Sequence, residues 1–237
     1  MPLMPRVLAL DTATQACTLA LADGVGVSAR HELLARAHNR HILAMLSQVL
    51  EGRSLADAVD VIACGVGPGS FTGLRVAVSV AQGLAWSQDL PVHAFCSVSA
   101  QVYSAADQDL LQEGDWVLST IDAQVDQLYG VWGRWEADQF RPLTEVFVVA
   151  PENLLVPEGA ADPVIIGSGE HYLPRFPAAM PSSTRRYGAL TPDASVMSRR
   201  FVDGNLPMSL QAAHTLAPRY VQRDIGWKKL AEQGRRD

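Results

Sequence analysis

The sequence predicts an α/β fold with mixed sheets flanked by helices, and three observations carry that prediction. Short apolar runs of strand character open the chain, and an amphipathic helical stretch follows them. A continuous apolar run then passes through a glycine-rich loop into a second helix.

Val7 to Asp11, Thr18 to Ala22 and Val25 to His31 read as strands, with Asp23 and Gly24 as turn residues between the last two. This is an antiparallel meander rather than the strand, loop and helix of a dinucleotide fold. In "HNRHILAMLSQVL" the residues Ile42, Met45, Leu46, Val49 and Leu50 recur at helical spacing, so one face is apolar. "VDVIACGVG" is a strand covered on both faces, and it leads into the loop at Gly67 and a further helix. "PVHAFC" and "SVSAQVYSAAD" add a strand and a helix, completing the order β-β-β-α-β-α-β-α.

After the polar break "DQDLLQEGD", "WVLSTIDAQ" begins a second unit as a strand. "QLYGVWGRW" and "LTEVFVVA" are expected to share its sheet, with "EADQFRP" as the connecting turn. "DPVIIGSGE" reads as a strand ending in a small-residue turn. "PDASVMSRRFVDG" reads as a helix with Asp193 near its start and Gly204 past its end. The expected organisation is a lobe over 1–107, a smaller lobe over 108–218, and a tail over 219–237 that returns towards the first lobe.

Composition restricts the function. With 237 residues, 48% hydrophobic and a formal charge of -6, the chain is ill suited to broad nonspecific nucleic-acid binding, which needs clustered Lys and Arg. The one basic cluster is Arg219, Arg223, Lys228, Lys229, Arg235 and Arg236, and its plain reading is a solvated tail. The opening "MPLMPRVLALDTATQACTLALA" imitates an export signal until Asp11 interrupts it. The stretch after Gly73 carries Arg75, Gln82 and Gly83 and is too short to span a bilayer. A cytoplasmic protein without membrane contact is expected. Cys17, Cys64 and Cys96, widely spaced in apolar segments, read as buried reduced thiols.

The loop in "GVGPGSFTGLRVAVSVAQGLAW" raises the question of phosphate binding, because glycines at a helix N-terminus let an anion approach free N–H groups. It lacks the Lys of a P-loop, which leaves a phosphate site and a capped turn both open. Asp11 ends a strand before "DTAT". In the actin, sugar kinase and heat-shock ATPase superfamily such an Asp, with a glycine-containing hairpin, cradles metal and phosphate. Ala13 stands where that glycine is expected. Asp11, Thr12, Ser70, Thr72 and Gly73 are therefore candidates for a degenerate phosphate loop, with a hydrogen-bonded turn at Asp11 as the alternative. His38 and His41 lack the Glu and the spacing of a zinc protease and read as surface or interface histidines. Ser70 has Pro68 and Thr72 where a nucleophile elbow needs glycines. Ser168, His93, His171 and His214 complete no constellation. No catalytic residue and no metal ligand is expected.

"LALDTATQACTLAL", "GVGPGSFTGLRVAVSVAQGLAW", "IDAQVDQLYG" and "RYVQRDIGWKKL", in this order over nearly the whole chain, resemble the TsaB (YeaZ) family of the bacterial tRNA threonylcarbamoyladenosine pathway. The resemblance implies two actin-like lobes. It implies a non-catalytic subunit that binds and supports TsaD, which transfers threonylcarbamoyl to the adenosine beside the anticodon, with TsaE joining the complex. It implies tRNA contact mainly through the complex and no cofactor required by this chain. Weak or partner-dependent nucleotide binding, and a homodimer of the isolated chain, stay open. TsaD carries an H-x-x-x-H metal motif, and the corresponding "HAFCSVSAQVYS" lacks that pair. Val66, Gln124 and Gln222 stand where relatives often have Arg, so contacts made by a guanidinium there do not carry over. The expected partner interface is His38, His41, Ile42 and Met45 on one helix and Leu74, Val78 and Ala81 on the next. A superfamily ATP hydrolase or a glycoprotease-like peptidase is the competing reading, and it would need positioned acids, bases or metal ligands.

Overall fold

The computed structural model describes residues 4–34, 37–183 and 185–221. Strands β1 (Val7–Asp11), β2 (Ala16–Ala22) and β3 (Val27–Leu33) form the antiparallel meander. Helices α1 (His38–Leu50) and α2 (Leu55–Ala58) lead to β4 (Val61–Gly65), and α3 (Phe71–Gln88) leads to β5 (Val92–Phe95). β4 runs parallel to β1, and β5 parallel to β4, which requires the helical crossovers between them.

After α4 (Ser97–Ala106) the plan repeats. β6 (Trp116–Gln124), β7 (Gln127–Glu136) and β8 (Gln139–Pro142) are antiparallel, and β10 (Val164–Ile166) and β11 (Arg186–Tyr187) extend the sheet in parallel beside β6. Between them β9 (Phe147–Val149) pairs with β7. The sheet orders β5-β4-β1-β2-β3 and β11-β10-β6-β7-β8 thus follow one design, three antiparallel strands continued by two parallel ones. This is the two-lobed actin-like architecture. α5 (Ala194–Val202) and β12 (Leu210–Gln211) close the described chain, and β12 pairs antiparallel with β5.

The sequence of β1 and β2 explains how the first sheet is covered. Leu8, Leu10, Leu19 and Leu21 pair in register and enter the core that holds α1 and α3. Val7, Ala9, Ala20 and Ala22 alternate with them and enter the core shared with α4, α5 and the second sheet. The small residues lie on the face where α5 packs, and α5 is tied there by the Ala194 amide donating to the Thr18 hydroxyl at 3.0 Å. Asp193 caps α5 by accepting the Ser195 amide, and Gly204 follows the helix at φ 71°.

Three expectations change. "EADQFRP" contains β8, and the turn proper is Ala137 and Asp138, both at positive φ, which makes a two-residue hairpin loop without glycine. The third strand begins at Val27 and runs to Leu33. The span 108–218 is not one spatial unit, because α5 packs on β1 and β2 and β12 extends the first sheet. At residues 219–221, the described start of the tail, the Arg219 amide donates to the Val66 carbonyl at 2.8 Å. The calls on Gln222, Arg223, Lys228, Lys229, Arg235 and Arg236 lie outside the described residues. All three cysteines are free, and burial pushes the thiol of Cys17 up to about 12 and that of Cys64 well above its ordinary value. Among the described residues no helix is long and apolar enough to cross a membrane.

Candidate functional site

The candidate phosphate-loop residues meet where β1 ends and α3 begins. The Ser70 amide donates to the Ala13 carbonyl at 2.7 Å, and the Thr12 hydroxyl donates to the Gly73 carbonyl at 2.7 Å. Ser70 also caps α3, its hydroxyl accepting the Gly73 amide at 3.3 Å. On the other side Ser97, the first residue of α4, accepts the Gly67 amide at 3.1 Å and donates its own amide to the Gly67 carbonyl at 2.9 Å. A Cβ at Gly69 would stand 2.3 Å from the Ala13 carbonyl oxygen, and one at Gly73 2.0 Å from that of Thr12. The glycines let the loop touch the β1–β2 turn. The loop is a closed, capped turn. Thr12 and Gly73 are buried beneath it, whereas Ser70 and Thr72 remain exposed.

Asp11 is 1% exposed, under the position that a side chain at Gly65 would occupy. Its Oδ1 accepts the Ala13 amide at 2.7 Å, and its Oδ2 has no hydrogen-bond partner of normal geometry. Burial pushes its pKa up to about 6, against smaller opposing effects of the Ser97 hydroxyl and the Ala13 amide. The hydrogen-bonded turn is therefore its local role. His38 is buried at the start of α1, facing the backbone of Thr14, Gln15 and Ala16, and burial lowers its pKa. It joins α1 to the β1–β2 turn rather than facing outwards. His41 does face outwards, with Nδ1 3.7 Å from Glu32.

The remaining expected interface residues point inwards. Ile42, Met45, Val78 and Ala81 are 0–4% exposed in the core beneath the first sheet, and Leu74 is 1% exposed against Gly67. Helical spacing identifies the apolar face, and the chain's own sheet takes that face. Among the residues left on the outside are Asn39, Arg40, Leu43, Ala44 and Ser47 on α1, with Thr72, Ser79 and Gly83 on α3. Val76 and Val80 on α3 are half-buried beside them. Leu33 and Leu43 are 63% and 60% exposed. A groove of about 660 Å³ runs between Leu33, Leu34, Ala37, Asn39 and Arg40 on one side and Thr72 and Val76 on the other. At Gly83 nothing lies within 4 Å of a would-be Cβ, so another helix could approach closely.

Sequence reasoning missed Ser97, whose double bond to Gly67 has no local signature. It also missed a surface stack beside the loop. The Arg75 guanidinium lies 3.6 Å from the Phe71 ring centroid, and its Nε donates to the Tyr220 hydroxyl at 3.0 Å, 145 positions away. Of the positions where relatives often carry Arg, Val66 is buried and Gln124 sits exposed at the β6–β7 hairpin with φ 64°. In the second lobe Ser168 accepts the Asp122 amide at 2.9 Å and His171 stacks on Tyr172 at 3.8 Å. Among the described residues no group of three His, Cys, Asp or Glu side chains comes together as a metal site.

Residues 12–187 match the family model described as TsaD: tRNA N6-adenosine threonylcarbamoyltransferase. The tRNA threonylcarbamoyladenosine biosynthesis protein TsaB of Escherichia coli (strain K12) is 32% identical to this chain, over 95% of it and 98% of that protein. The protein of the same name from Haemophilus influenzae is 30% identical, over 94% and 96%. Among solved structures, an uncharacterized Pseudomonas aeruginosa protein described as similar to peptidase YEAZ superposes with a TM-score of 0.80 at 31% identity. That match covers 92% of this chain and all of the other. With the four sequence motifs, the doubled sheet plan and these matches along nearly its whole length, the chain belongs to the TsaB (YeaZ) family of tRNA threonylcarbamoyladenosine biosynthesis proteins.

Proposed function

We propose that this chain is a non-catalytic scaffold subunit of a cytoplasmic tRNA-modifying complex, and that it binds and supports a TsaD protein. The observation that carries the reading is the closed loop. The glycine-rich loop packs against the β1–β2 turn through Gly69 and Gly73, which favours a packing role over a binding one. Directly beside it, α1 and α3 present the exposed face of Leu43, Val76, Val80 and Gly83 and the groove above it. Small and aliphatic residues on two adjacent helices suit a helix pair of a partner. TsaD is the occupant, TsaE is the third component, and a second copy of this chain takes the same face when TsaD is absent.

Co-expression of the tagged chain with TsaD tests the reading. Stoichiometric co-purification is expected, together with no ATP hydrolysis and no tRNA modification by the chain alone. Activity of the purified chain that is lost in Asp11→Ala would favour the superfamily hydrolase instead.

A further inference from the structure

Eight of the described arginines pair with a carboxylate: Arg6, Arg53, Arg134, Arg175, Arg185, Arg186, Arg199 and Arg200. Arg30 instead donates to Gln48. In a chain of net charge -6, acidic partners are in surplus. Arg40, Arg75, Arg141 and Arg219 have none among the described residues, and of these Arg75 and Arg219 both lie at the start of α3. Arg219 is placed by its backbone bond to Val66, and Arg75 by its contacts with Phe71 and Tyr220. The two rings are 5.3 Å apart, and Phe71 and Tyr220 are 44% and 45% exposed. A guanidinium without a carboxylate partner set on two half-exposed rings, with a second arginine next to Tyr220 in the chain, offers the elements with which proteins hold single-stranded nucleic acid. Rings stack on bases, and cations attract the phosphates between them.

This patch is separate from the helix face assigned to TsaD. At 100° per residue, Phe71 and Arg75 are centred about 90° around α3 from the stripe of Thr72, Val76, Ser79 and Gly83, with Arg75 about 40° from Ser79. They are on the side where residues 213–220 run along the helix, which the Gln82 amide anchors by donating to the Leu216 carbonyl at 2.9 Å. A partner seated on the stripe would leave the patch open.

We propose that Phe71, Arg75, Arg219 and Tyr220 form a docking site for an unpaired segment of RNA. The proposal rests on the reading of this chain as a subunit of a tRNA-modifying complex. It does not rest on how TsaD is bound.

The test is fluorescence anisotropy with a labelled oligouridylate of about 12 nucleotides, over a salt series, on the full chain alone and bound to TsaD. Phe71→Ala and Tyr220→Ala are expected to weaken binding by about tenfold, and Tyr220→Phe much less. Arg75→Gln and Arg219→Gln are each expected to weaken it and to flatten the dependence of log K on log salt by about 0.7. Among the described residues Arg219 makes only a backbone hydrogen bond, so Arg219→Gln removes no side-chain bond of the described fold. Trp86→Ala and Arg141→Ala remove an exposed ring and an unpaired arginine elsewhere, and both should bind as the unaltered chain does. Wild-type affinity in all four site variants, equal losses in the two controls, or no RNA binding at low salt would overturn the proposal. All variants should still capture TsaD, so a failure of capture by the unaltered chain would strike the scaffold reading and not this one.

Discussion

The amide of Ser70 and the carbonyl of Ala13 meet at 2.7 Å, and this bond joins the glycine-rich loop to the turn between β1 and β2. Around it the Thr12 hydroxyl reaches Gly73, and Ser97 holds Gly67 from the opposite side. A segment that resembles a nucleotide-binding loop in sequence is thereby used as packing between β1, α3 and α4.

Gly73→Ala should show how tightly that packing is set. The added methyl would lie 2.0 Å from the Thr12 carbonyl oxygen, which belongs to the backbone and cannot swing aside. A loss of roughly 1–3 kcal/mol or more is expected in urea unfolding. Gly83→Ala in the same helix meets nothing within 4 Å and should be neutral or stabilising by up to about 1 kcal/mol.

Asp11 predicts an unusual pH dependence. Burial raises its folded pKa to about 6, above the value of an unfolded Asp near 3.8. The folded chain therefore binds the extra proton between those values, so this group's contribution to stability is full below about pH 4 and lost as pH rises through about 6. The cost at neutral pH is on the order of 3 kcal/mol, at 1.36 kcal/mol per pKa unit. Asp11→Asn should remove the decline between pH 4 and 6 when unfolding is compared with the unaltered chain. The same slope in both proteins would show that Asp11 is not protonated in the fold.

The two sides of α3 should respond differently to charge. Ala81→Arg places a cation at a position of 0% exposure in the core and is expected to unfold the chain or lower its melting temperature sharply. Leu43→Asp at 60% exposure should leave melting unchanged and abolish capture of TsaD. Normal capture by a folded Leu43→Asp variant would move the partner site off this face.

Val125 offers a gain in stability. It is 91% exposed and, with Asp126, forms the two-residue turn between Gln124 and Gln127, at φ 51° and 59°. A β-branched residue is strained in that region, and Asn is the residue the turn favours. Val125→Asn should raise stability by about 1 kcal/mol in thermal or urea unfolding.

The sequence by itself determined the kinds of elements, the meander at the start, the cap at Asp193 and the family, because each depends on neighbours a few positions apart. Alternation in β1 and β2 and the helical spacing of Ile42, Met45 and Val49 state which faces are apolar. They do not state what covers those faces. Only the tertiary structure decided that the sheet of the same chain covers Met45, Val78 and Ala81, and that Leu43 is left exposed and Val76 half-buried. It also decided that Gly73 touches Thr12, that β12 returns to β5, and that Arg75 meets Tyr220 across 145 positions. Such contacts are settled by how two sheets and their helices share space, and no local pattern encodes that. A glycine-rich loop before a helix has the same local preferences whether an anion or another stretch of backbone lies against it. In this chain the β1–β2 turn lies against the loop, with the Ala13 carbonyl taking the Ser70 amide and the Ala13 backbone standing against Gly69.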